Sequence, residues 1–265
     1  MLVMDNSIIT PPSFLIRAMS VVTLVILTLM AISEVMGKHL KYSKFWNVNS
    51  SGKSATKEVK LSSRTGMLML YTPAFLGGLA SFWIFPHQSF RLLLLTSALT
   101  FHFFKRDFEV LFIHKYSGGV MLDSAIFIGA LYFIATVTII YFQHLSEGLP
   151  EPRIDLKYFG MFVFLLGISG NFYHHYLLSK MRKDGEKQYK IPKGGLFDKV
   201  VCPHYLFEIL TFWGFFLISQ NLFGLCCAIG VTFYLTGRSY VTRKWYLSKF
   251  ENFPQDVRAI FPYVF

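Results

Sequence analysis

Two pairs of polar side chains, each spaced four residues apart, pose the chemical question of this sequence. Asn171 and His175 lie in GNFYHHYLLSKMRK, and His204 and Glu208 lie in CPHYLFEI. Residues four apart on an α-helix share a face, so each pair presents two polar groups in one direction. Both pairs sit in otherwise apolar runs, where an ionisable group is costly and faces a cavity or a partner. Pro203 suits the first turn of a helix. That turn would present unpaired backbone N–H groups and the positive end of the helix dipole. The basic, glycine-containing stretch YKIPKGGLFDK (residues 189–199) leads directly into it. A helix start among basic side chains is where a phosphate-bearing ligand would sit. For any one of these residues, an interhelical hydrogen bond that only holds a bundle together explains as much. The four-residue set favours a functional pocket.

The elements that carry these residues are set by composition. The chain has 265 residues, of which 53% are hydrophobic, 18% aromatic and only 15% charged, with Phe at 29 positions. An ordinary soluble chain is about 25% charged, so this one is built for lipid. Seven apolar runs of transmembrane length stand out, near 14–36, 67–85, 90–113, 120–142, 157–178, 204–220 and 222–240. The first lacks a basic leader and a small-residue cleavage site, and reads as a retained span. The stretch 43–64 is rich in Ser, Lys and Asn and reads as a mobile loop. No internal repeat appears.

Net charge is +11. The basic residues lie between the apolar runs and no nucleic-acid motif is present, so they report topology and anionic headgroups rather than nucleic acid. Seven Lys/Arg follow the first span (Lys38 to Arg64), and one, Arg91, separates the second from the third. The end of the third has three, the next connection two, the connection 180–199 seven, the next none, and the C-terminal segment five. This alternation predicts an all-α integral membrane protein with seven transmembrane helices, N-terminus lumenal and C-terminus cytosolic. The ionisable residues then crowd the cytosolic ends of the spans. A transporter would instead hold its site near the midplane. The three cysteines, Cys202, Cys226 and Cys227, give neither a disulfide framework nor a zinc spacing, and no metal site is expected.

Five pieces in order, GNFYHHYLLSKMRK, Y-x-IP-x-GGLF (Tyr189 to Phe197), CPHYLFEI, GRSYVTRKWYLSKF and the terminal FPYVF, resemble the steroid 5α-reductase family of membrane reductases. The resemblance covers about residues 160–265. Residues 100–122, FHFFKRDFEVLFIHKYSGGVML, are similar both to the steroid reductases and to the very-long-chain enoyl-CoA reductase branch, and His175 is similar to the latter. The resemblance implies a seven-helix NADPH enzyme of the endoplasmic reticulum that reduces a carbon–carbon double bond conjugated to a carbonyl. It implies two parts: residues 1–120, helices 1–3 on the substrate side, and residues 121–265 with the NADPH site. Carried over by position, Arg106, Asn171, His175, Arg182, Tyr189, His204, Glu208, Arg238 and Tyr246 would contact NADPH. The arginines would take phosphates, and Asn171, His204 and Glu208 the nicotinamide-ribose half. No GxGxxG follows a strand, so no Rossmann domain is expected.

The reaction needs a donor that polarises the carbonyl as enolate charge develops. In the steroid reductases a glutamate on the second span and a tyrosine on the third hold the substrate ketone. Here Tyr71 occupies the glutamate's place and Phe103 the tyrosine's. Tyr71 is therefore the candidate donor, with Tyr246 and Glu208 as the other candidate catalytic residues. The leading substrate is a 3-oxo-Δ4-steroid or related lipid enone. A trans-2-enoyl-CoA is the alternative, and a non-catalytic membrane relative is a third.

Overall fold

The computed structural model describes residues 8–9, 13–38, 59–116, 118–182 and 188–265. Seven long α-helices occur among them: α1 (Phe14–Val35), α2 (Ser63–Ile84), α3 (Phe90–Phe108), α4 (Leu122–Leu145), α5 (Lys157–Lys180), α6 (Pro203–Ser219) and α7 (Leu222–Lys249). Their bounds follow the apolar runs, except that α7 continues through its charged end to Lys249. Four of them, α1, α2, α4 and α7, are long and apolar enough to cross a membrane. Of the others, α6 has only 17 residues, and α3 and α5 carry polar and basic residues that lower their apolar content.

Capping marks several starts. Ser62, Ser89 and Asn221 accept hydrogen bonds from the backbone N–H of Thr65, Leu92 and Gly224. Pro203 opens α6, as expected. α3 does not end at Phe108 but loosens into a π-helical turn, Glu109–Ile113. Such turns are rare and cluster at functional sites. Two short strands were not legible in the sequence: β1 (Lys60–Ser62) pairs antiparallel with β2 (Gly119–Met121), Leu61 opposite Val120. Of the stretch expected to be a mobile loop, residues 43–58 lie outside the described residues. Its end is ordered, because residues 60–62 form β1 and α2 begins at Ser63.

Packing joins α1 to α7, α7 to α6, α6 to α5, and α2 to both α3 and α4, while α3 meets α6 between the two groups. α5 and α6 come closest because glycines line their contact. A Cβ on Gly167 would lie 2.5 Å from the Thr211 nitrogen, and one on Gly214 2.7 Å from Phe164 Cα. Small residues let membrane helices approach in this way. The C-terminal segment folds back on the start of α6: Arg258 donates to Lys199 O, and Val201 and Cys202 donate to Arg258 O and Ala259 O. That tail brackets the loop entering α6.

At the opposite end of α3, buried Arg91 forms a clasp. It donates to Glu151 (2.5 Å), Asp155 (2.8 Å), Gln220 Oε1 (3.2 Å) and the Ile218 carbonyl (2.7 Å). Burial pushes the Asp155 carboxyl up, but hydrogen bonds from Lys157 and the Arg91 charge outweigh it and hold it below the ordinary aspartate range.

Candidate active site

The interior site forms where the C-terminal ends of α3 and α5 meet the start of α6. Its centre is Glu109, fully buried at the first position of the π turn. A carboxylate there needs several donors, and it has them. Arg106 Nη1 donates at 2.6 Å, Lys105 Nζ lies 3.1 Å away and His175 Nδ1 3.1 Å away. The spacings from Arg106 and Lys105 to Glu109, three and four, make this pairing a helix-face event. Arg106 also reaches α2: Nη2 donates to Tyr71 Oη at 2.6 Å, and the guanidinium lies 4.6 Å from the Tyr71 ring centre. The Tyr71 oxygen is thus an acceptor, and its O–H proton finds no acceptor among the described residues.

α5 and α6 contribute the two expected pairs, and they face one another. Asn171 Nδ2 donates to the His204 carbonyl at 2.8 Å, and the His175 and His204 rings are 5.4 Å apart. Lys105 donates to Asn171 Oδ1, so both ends of this amide are engaged within the protein. His175 Nδ1 stands 3.1 Å from Arg106 Nη1 and 3.1 Å from Glu109; the tautomer decides which contact is the hydrogen bond. Glu208 Oε1 is 3.4 Å from His102 Nε2. Glu208 Oε2 and His102 Nδ1 are buried with no hydrogen-bond partner. Each of these neighbouring side chains thus keeps one unpartnered polar atom, which a ligand with donors and acceptors would satisfy.

A second group of the expected residues lines an outer cleft of about 250 Å³, with Arg182, Tyr189, Lys190 and Tyr246 among its walls. The Arg182 guanidinium lies 5.0 Å over the Tyr189 ring, which meets Trp245 edge-on at 5.1 Å. Tyr246 is buried between Phe250 and Phe253. His114 joins cleft to interior. It lines the cleft, its ring is 4.8 Å from that of His175, and its Nε2 is 3.9 Å from Glu109. Burial, and then the neighbouring His175 and Arg106, push its imidazole well below the ordinary histidine range, so it is neutral near pH 7.

Arg238 sits apart from both groups. It donates to Glu34 on α1 at 2.7 Å and, through Nε, to Tyr205 Oη at 3.1 Å, with Glu34 and Arg238 both buried. Sequence reasoning did not single out Glu34 or Tyr205. The signal for Glu34 was present, since it is an acid inside an apolar span. Glu109, His114 and His175 bring three possible metal-ligating atoms within 4.8 Å of one another. Lys105 and Arg106 already neutralise Glu109, and a dication would be repelled by both. The trio belongs to the ion-pair network.

A family model described as 3-oxo-5-alpha-steroid 4-dehydrogenase matches residues 120–265. The chain belongs to the 3-oxo-5-alpha-steroid 4-dehydrogenase family. Within this family it is similar to the 3-oxo-5-alpha-steroid 4-dehydrogenase 2 of Macaca fascicularis, 30% identical over 62% of this chain and 65% of the relative. Its similarity to the human 3-oxo-5-alpha-steroid 4-dehydrogenase 1 is 36% identity over 45% of each chain. A very-long-chain enoyl-CoA reductase of Dictyostelium discoideum is 28% identical over 62% of this chain and 55% of the relative. Each match spans less than two thirds of the relative's length. The model's match takes in α4 to α7 and the tail, and so Asn171, His175, His204 and Glu208. Tyr71 and Arg106 lie before it.

Proposed function

We propose that this protein is an NADPH-dependent ene-reductase of the endoplasmic reticulum membrane, with seven spans, a lumenal N-terminus and a cytosolic C-terminus. Its reaction would be reduction of a carbon–carbon double bond conjugated to the carbonyl of a lipid. The leading substrate is a 3-oxo-Δ4-steroid, in keeping with the family. The observation that carries the reading is the Arg106–Tyr71 hydrogen bond. It engages the Tyr71 oxygen as an acceptor and leaves its O–H without an acceptor among the described residues.

The residues fit the nucleotide. Arg182 over Tyr189 offers a cation and an aromatic face, which suit a phosphate and an adenine. The orphaned Glu208 Oε2 suits the N–H of a carboxamide. Bound NADPH would supply a hydride to the β-carbon of the enone, and water would supply the proton that completes the reduction at the α-carbon. Tyr71 would donate to the carbonyl oxygen as negative charge develops there, and Arg106 would stabilise the phenol through its oxygen. The Glu109 network would hold Arg106 in place. Glu208 and His204 would orient the nicotinamide half, with Asn171 fixing the His204 backbone. Tyr246, in the outer cleft, would serve the nucleotide end rather than the reacting carbons. Residues 1–120 would supply the substrate side and 121–265 the cofactor side.

A trans-2-enoyl-CoA substrate is the second reading. It is favoured by the Dictyostelium relative and by a polar cleft of about 560 Å³ lined by Ser63, Arg64, His114 and Lys115. Phosphates of CoA would find cations there and in the stretch 180–199. The test uses purified protein in nanodiscs with NADPH and either a Δ4-3-ketosteroid or a long-chain trans-2-enoyl-CoA, with products read by mass spectrometry. A steroid gaining two hydrogens supports the first reading. A saturated acyl-CoA without steroid product moves the protein to the second. NADPH binding with no product from either leaves a non-catalytic relative.

A further inference from the structure

Tyr132 is a phenol inside the bundle, outside the Glu109 network and the outer cleft. It lies near the middle of α4, and its ring centre is 5.6 Å from that of Tyr71 on α2 and 5.6 Å from that of Phe103 on α3. Among the described residues its hydroxyl has no hydrogen-bond partner. Together with Phe103, Thr136, Phe212 and Phe215 it lines an apolar pocket of about 30 Å³. That is about the share of one water molecule in the liquid, and so room for one oxygen-sized group.

Tyr132 is partly buried, and its O–H is available to donate to a ligand's acceptor. The ring against which it leans, Phe103, has no donor to offer. Tyr71 and Tyr132 stand on two tightly packed helices, with their ring centres 5.6 Å apart. A carbonyl oxygen has two lone pairs and can accept from both. We propose that Tyr132 is a second hydrogen-bond donor to the carbonyl oxygen of the lipid substrate, acting beside Tyr71. The proposal rests on the ene-reductase reading. It moves no proton: both phenols keep theirs while negative charge grows on the oxygen, and the charge is largest when their hydrogen bonds matter most.

Tyr132→Phe keeps the ring and its packing and removes only the hydroxyl. The measurement is steady-state kinetics on the better of a Δ4-3-ketosteroid and a long-chain trans-2-enoyl-CoA, together with NADPH Kd and Tm in nanodiscs. The expected result is a fall in kcat of about 10²-fold, the usual effect of losing one such donor, with Kd and Tm unchanged. Phe103→Tyr added to Tyr132→Phe places a phenol on the neighbouring helix at the same depth and is expected to restore at least part of the lost kcat. If Tyr132→Phe keeps the wild-type kcat while the wild type turns over an enone, the proposal is wrong and the reductase reading stands. If the wild type binds NADPH and reduces no enone, the reductase reading fails and the proposal falls with it.

Discussion

Arg106 divides one guanidinium between a buried carboxylate, an imidazole and a phenol. Its planar fork can hold such partners at fixed angles, which an ammonium cannot. Removing the Tyr71 hydroxyl should therefore cost catalysis and spare the fold. Tyr71→Phe is expected to lower kcat by about 10²-fold with little change in NADPH Kd, as read by steady-state kinetics and fluorescence titration; wild-type kcat would remove Tyr71 from the reaction. Part of this arrangement was legible in the sequence. The set Lys105, Arg106 and Glu109 has helix-face spacing, and the pairs Asn171/His175 and His204/Glu208 pointed to one pocket. Tyr71 and Phe103 became informative only through the resemblance. Glu34, an acid inside an apolar span, was passed over, and Tyr132 was not picked out because its meaning depends on which helix face meets which. Tyr132 is one aromatic among many until Tyr71 and Phe103 close around it.

At the scale of elements, periodicity and hydropathy located the helices to within a few residues. They could not supply the π turn at Glu109, the β1–β2 ribbon or the extension of α7, because these depend on tertiary partners. The Glu34–Arg238 pair, linking the first described helix to the last, is the clearest long-range tie. Breaking a buried pair on one side leaves a bare charge, which costs about 3–5 kcal/mol. Glu34→Ala should lower Tm sharply, whereas Glu34→Met with Arg238→Met should recover much of the loss. Equal Tm for the single and double variants would mean that the pair does not hold α1 to α7. The α5–α6 contact is the other sensitive joint. Gly167→Val forces a branched side chain against the Thr211 backbone, and overpacking of this kind costs about 1–3 kcal/mol. Because both polar pairs face each other across this joint, NADPH affinity should fall with Tm. Unchanged affinity would separate the joint from the site.

At the scale of the molecule, one end holds the Glu109 network and the outer cleft, and the other holds the Arg91 clasp. The Asp155 carboxyl is held below its ordinary value. Its contribution to stability is therefore fully present above about pH 4 and is lost as pH falls through its native value. Thermal unfolding between pH 6 and 3 (about the range that spans the ordinary value) should show a smaller drop for Asp155→Asn than for wild type; identical profiles would mean that the clasp does not depend on this charge. The two ends should also lie on opposite sides of the membrane. A glycosylation acceptor inserted at Gly148 should be modified in microsomes and one after Phe265 should not, and the reverse pattern would invert the topology. The most direct test of the central claim is deuterium transfer. NADPH carrying deuterium at the transferable position is supplied to the protein with a Δ4-3-ketosteroid or a long-chain trans-2-enoyl-CoA. One deuterium is expected at the β-carbon of a saturated product, strongly reduced in Tyr71→Phe. NADPH bound by the protein with no deuterium passed to either lipid would contradict the central claim.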